Sequence, residues 1–126
     1  MLITITTQDY LTHSGINLDL EFMGSTDSGT SGATIFLRNT SQEVWDYLKS
    51  HFIFDEEEIE YTDEFIEEYK RGLCLQVSYM LKSGDALNNV SVRAAGVENL
   101  APKARLVFRN LGLCNLQNTY DIYRRF

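Results

Sequence analysis

The apolar positions of this chain switch period once, close to its start. Residues 2–6, "LITIT", alternate apolar and polar, the pattern of a short strand or an extended arm. Beyond them the spacing is helical. Thr6 with Asp9 three residues on forms a helix-capping signal and Gly15 a stop, which predicts a short helix over about Asp9–Ser14. "MGSTDSGTSG", Met23–Gly32, reads as a loop. Ala33, Leu37, Ser41, Val44, Leu48 and Phe52 then share one face of a second helix, roughly Ser31–Phe52. "NTSQE" is weak helix material, so a kink is expected at Asn39–Ser41. Thr62 is placed to cap a third helix, Asp63–Ser83, with Gly84 at its end. Pro102 suits the first turn of a last helix, about Pro102–Leu111, with Gly112 past its end and Leu106, Val107, Leu111 and Leu113 as its core face. Between the third and last helices "VSV" is a candidate strand of a short hairpin. The expected fold is all-α: one domain over 1–126, a small bundle of about four helices with a loop or short hairpin before the last, and an extended tail over 114–126.

The third helix carries the most information. Ile66, Tyr69, Leu73, Val77 and Met80 form one stripe, but Leu75 and Tyr79 lie about 200° from Leu73 and Val77 at 100° per residue. A helix apolar on several sides is the centre of its own bundle or a seam between subunits. Gly72 costs roughly 1 kcal/mol relative to Ala in a helix interior, so a close approach by a neighbour is expected there.

Charge sharpens the picture. Residues 1–92 hold 16 acids and 5 bases, and residues 93–126 hold 2 acids and 6 bases, so the ends differ in sign within a net −7. Such a subunit suits head-to-tail contact with copies of itself. Nine of the 18 acids crowd into Asp55–Glu68, with Glu56, Glu57, Glu58 and Glu60 expected to form an acidic surface. The tail "CNLQNTYDIYRRF" places Tyr120, Ile122, Tyr123 and Phe126 beside Arg124 and Arg125, a composition suited to a binding surface.

Candidate chemistry changes little. His13 and His51 stand alone, without His or Cys at metal-ligand spacing. No G-x-S-x-G elbow or G-x-x-x-x-G-K loop occurs, and "TDSG" at Thr26–Gly29 lies in a Gly/Ser loop without flanking strands. Neither catalysis nor a cofactor nor a metal is expected. Cys74 and Cys114 sit in apolar patterns and are expected as buried reduced thiols in a cytosol. No run of 18 apolar residues is present, so no membrane span is expected. The first residues lack a basic stretch followed by an apolar run, so no secretory leader is expected either.

The order of the segments resembles the head–tail connector (adaptor, head-completion) proteins of long-tailed phages. "TTQDYLTHSGINLDLEF" precedes a helix holding "VWDYLKSHF". "KRGLCLQVSYMLKSGD", Lys70–Asp85, then fits a family run of the type K-A-L-x-x-Q-x-x-Y-x-L-x-x-G-D, with Gln76, Tyr79, Leu81, Gly84 and Asp85 in matching places. "APKARLVFRNLGL", Ala101–Leu113, fits S-P-x-A-x-x-x-L-x-x-x-G-L, with Ala for Ser. The likeness spans about Thr7–Leu113 and rests on the order and spacing of weak motifs.

The resemblance implies a virion protein of the head–tail junction, assembled in the host cytoplasm. It would form a ring, twelve-fold on the portal by expectation, that joins capsid to tail and retains or passes the packaged DNA without reading its sequence. Its partners would be the portal protein, a tail-side stopper or tail-completion protein, and further copies of itself. The portal contact is carried onto Tyr120, Ile122, Tyr123, Arg124, Arg125 and Phe126, and the subunit interface onto Leu75 and Tyr79. The pI of about 4.7 leaves one competitor, an acidic DNA mimic acting against host restriction or CRISPR defence.

Overall fold

The computed structural model describes residues 2–18, 32–83 and 100–115. Among them the fold is all-α, with four helices and no strand: α1 (Thr7–Ser14), α2 (Gly32–His51), α3 (Asp63–Ser83) and α4 (Pro102–Asn110), plus a 3-10 turn at Glu56–Glu58. The loop 23–31, "VSV", Gly84, Asp85 and the tail beyond Asn115 lie outside the described residues.

Local chemistry sets the boundaries. Thr6 and Asp9 form a reciprocal capping box: Asp9 N–H donates to Thr6 Oγ1 at 3.1 Å and Thr6 N–H to Asp9 Oδ2 at 3.0 Å. That box starts α1 two residues before the expected Asp9. Gly15 ends it in the left-handed region at φ 77°. Thr62 Oγ1 accepts the Phe65 N–H at 3.1 Å and so caps α3.

The kink expected at Asn39–Ser41 does not occur: α2 runs unbroken from Gly32 to His51. The polar residues there are used within the fold. Ser41 Oγ donates to Leu37 O at 2.8 Å and accepts the Ile5 N–H at 3.3 Å. A buried hydroxyl that answers its own helix and the neighbouring arm costs little. The arm is extended, with Ile3 and Ile5 buried. All six positions expected on the face of α2 are buried, and Phe36, Thr40 and Trp45 widen it.

Helix α3 packs against α1, α2 and α4. Its all-round apolarity therefore has a source inside the chain's own fold. On the α1 side the Tyr10 and Ser78 hydroxyls share a 2.7 Å hydrogen bond, and Lys70 Nζ lies 3.7 Å from Asp9 Oδ1. Toward α2, Tyr69 meets the Trp45 ring edge-on at 6.3 Å. Toward α4, Gly72 lets the Phe108 ring approach, and Tyr69 and Phe108 centroids stand 5.1 Å apart. Gln76, buried, accepts the Ala101 N–H at 2.7 Å and ties the start of α4 to α3. Ala101 offers no side-chain cap of its own.

One expected core residue is misplaced. Leu106 is 46% exposed, while Ala104 and Phe108 are fully buried. At 100° per residue Leu106 stands about 200° from both, so it cannot share their face. Val107 and Leu113 are buried and Leu111 half-buried, as expected. Gly112, at φ 82°, turns the chain out of α4.

Two substitutions test this packing. Ala at position 72 gains about 1 kcal/mol of helix propensity. Its methyl, however, would stand 2.7 and 2.8 Å from the Cε1 and Cζ of Phe108, a fully buried ring that would have to shift. Overpacking of this kind costs roughly 1–3 kcal/mol, so Gly72→Ala lowers stability in urea denaturation; a more stable variant contradicts the close approach. The Tyr69 hydroxyl is buried without a hydrogen-bond partner among the described residues, and burial pushes its pKa up. Leaving such a group unpaired costs about 1–3 kcal/mol. Tyr69→Phe is accordingly neutral or stabilising, and a loss above about 1 kcal/mol would reveal a partner.

Candidate interaction surfaces

Two concave surfaces flank α3. The first, about 440 Å³, lies between α1 and the C-terminal half of α3. Tyr10, Ile16, Cys74, Leu75 and Leu81 supply its apolar part, and His13, Arg71 and Lys82 its basic edge. Arg71 also holds Glu68, with its Nη2 at 2.9 Å from Glu68 Oε2, so part of that basic charge is answered within α3. His13 Nε2 lies 3.6 Å from Glu67 Oε2. The second, about 400 Å³, is lined by Phe54, Ile59, Phe65, Leu111 and Leu113 and edged by Asp55, Glu58 and Glu60. Phe65 and Ser78 represent the two on α3. Thirteen residues separate them, which is about 20 Å along the axis and about 140° around it. The two surfaces face different directions.

Of the expected interface pair, Leu75 is half-buried in the first groove, and Tyr79, 49% exposed, points to solvent. They are four residues apart and share a stripe with Arg71 and Lys82, the part of α3 that the other helices leave uncovered. Glu56, Glu57, Glu58 and Glu60 are all exposed, and Asp55 caps the 3-10 turn by accepting the Glu57 N–H at 3.0 Å. Tyr120, Ile122, Tyr123, Arg124, Arg125 and Phe126 lie outside the described residues.

Sequence reasoning missed that the acids border an apolar floor. The signal was present in "FDEEEIEYTDEF", where Phe54, Ile59, Tyr61 and Phe65 interrupt the acid run and all four are half-buried. It also missed Ile16, 39% exposed beside the first groove. His51 stacks on Tyr47 at 3.9 Å, with its Nδ1 3.0 Å from Tyr47 O. No group of three or more His, Cys, Asp or Glu among the described residues is placed to hold a metal. None of their helices is long and apolar enough to cross a membrane.

Both cysteines are free. Burial, reinforced by the nearby Asp9 charge and opposed by Lys70, pushes the Cys74 thiol up to about 12. Burial also raises Cys114, against the opposing charges of Arg105 and Arg109. No protein-family model, curated protein or solved structure matches the chain.

Thiol chemistry checks this arrangement, because the thiolate is the reacting form. At pH 8, Ellman's reagent should label Cys114 in the native protein and Cys74 only after unfolding. Equal rates would place Cys74 nearer the surface. The folded Cys74 pKa lies above its ordinary 9.0, so the stability it contributes is complete below about pH 9 and is lost as pH rises toward 12.

Proposed function

We propose that the chain is a head–tail connector of a tailed phage: a non-catalytic ring subunit that docks beneath the portal, joins capsid to tail and keeps packaged DNA in place. The observation that carries the reading is the link between Gln76 and Ala101. It joins the two runs on which the family likeness rests, Lys70–Asp85 and Ala101–Leu113, so these form one packed unit and not two scattered motifs. The family's Ser before the proline is Ala here, and the buried Gln76 amide supplies the tie at that point.

Two further features support a ring. The uncovered stripe of Leu75 and Tyr79 lies beside a basic-edged groove, and an acid-edged surface faces another way. Unlike surfaces turned in different directions suit heterologous contacts, which close into rings when the rotation permits. Opposite charge on the two surfaces would set the register between neighbours. An exposed acidic turn would also be slow to grip phosphates, since basic contacts supply that hold.

The same exposed turn is what favours the second reading, a DNA mimic, in which carboxylates stand in for phosphates. A head-completion assay with DNA-filled, portal-bearing heads separates the two. Deleting residues 119–126 should abolish completion while circular dichroism shows the helices intact, and Leu75→Ser with Tyr79→Ser should weaken assembly more than folding. Neutralising Glu56, Glu57, Glu58 and Glu60 should leave completion largely in place. If the tail deletion still completes heads, and the neutralised variant instead fails to protect DNA from a host nuclease, the mimic is the correct reading.

A further inference from the structure

We propose that the acid-edged groove seats the chain's own C-terminal segment, Tyr120–Phe126. The groove has an apolar floor, with Phe54, Ile59, Phe65 and Leu111 half-buried and Leu113 beneath them. Its charged edge is Asp55, Glu58 and Glu60, and no basic residue among the described residues lines it. None of the ion pairs among the described residues uses these three acids. An apolar floor inside an acidic edge that makes no ion pair among the described residues fits a peptide that brings aromatic side chains and cations together. Tyr120, Ile122, Tyr123 and Phe126 with Arg124 and Arg125 are such a peptide.

The point of departure makes the match intramolecular. Asn115 itself lines the groove. Its position is held from two sides: Ile53 N–H donates to Asn115 O at 3.0 Å, and Asn115 Nδ2 donates to Gly112 O at 3.2 Å. Five residue steps lead from Asn115 to Tyr120 and reach at most about 17 Å, ample for a groove at whose edge the chain already stands. A tether this short gives an effective concentration in the millimolar range. At micromolar protein the chain's own segment therefore outcompetes that of another copy. The seat does not rest on the connector reading. Where that reading holds, the portal must draw the segment off the groove, so the seat would keep the aromatic anchors covered until a partner is met.

Amide hydrogen exchange on the full chain, alone and at low salt, tests the seat. Residues 120–126 should exchange at least ~10-fold more slowly than a free chain, with protection independent of protein concentration. Glu58→Arg with Glu60→Arg should remove the protection. Arg124→Glu with Arg125→Glu should remove it as well, with the helical circular dichroism signal unchanged. Combining all four should restore it, since the charges are then exchanged across the same contact. Free-chain exchange in the unaltered protein overturns the proposal. So does protection that fades on dilution, which would assign the groove to a second copy. Protection that survives Arg124→Glu with Arg125→Glu overturns it too, since the acidic edge would then play no part.

Discussion

The close approach of Phe108 to Gly72 is the contact on which the bundle turns. Helix α4 has nine residues, too few to hold itself in water without tertiary packing. It is held from three points. The Phe108 ring comes within 2.7 Å of where a Cβ on residue 72 would stand, Val107 packs beside it, and Gln76 holds the Ala101 N–H. Through Tyr69 the same ring joins an aromatic series that runs to Trp45 and Phe54. Edge-to-face and tilted pairs of this kind add about 0.5–1.5 kcal/mol beyond their buried area. The series links α4 to α2, and the Ile53–Asn115 backbone hydrogen bond repeats that link at the surface.

With α4 in place, α3 is enclosed on three sides and open along one stripe. The open stripe contains Leu75 and Tyr79. Most of the apolar surplus of α3 is thus spent on its own bundle, which leaves these two residues for the proposed seam. An exposed tyrosine beside a half-buried leucine is a modest patch by itself. Its weight comes from its place at the edge of a groove with basic residues, on a chain whose acids gather elsewhere.

Much of the fold was legible because local signals and the global arrangement agree. Thr6, Asp9 and Gly15 specify α1, Thr62 starts α3, and Pro102 with Gly112 bracket α4; each acts through backbone groups that it satisfies or a conformation that it permits. Gly72 was readable for a similar reason, since a costly residue inside a helix calls for a packing cause. Where sequence reasoning failed, a tertiary partner decided the outcome. Ser41 resembled a break because nothing in "NTSQE" shows that its hydroxyl answers Leu37 and Ile5. Leu106 resembles core by its apolar side chain, but its angle places it about 200° from Ala104 and Phe108. The candidate surfaces were less legible than the fold. Acids were found, but their apolar floor comes from Phe54, Ile59 and Phe65 together with Leu111 and Leu113, which are far apart in sequence.

In the proposed function the C-terminal segment docks the chain on a portal and the open α3 stripe closes the ring between neighbours. Electron cryomicroscopy of portal-bearing, DNA-filled heads incubated with the purified protein tests it most directly. The account predicts a closed ring of four-helix subunits beneath the portal, with Leu75 and Tyr79 in the seam between neighbours. A vacant portal vertex, or subunits attached singly with that stripe in solvent, would contradict it.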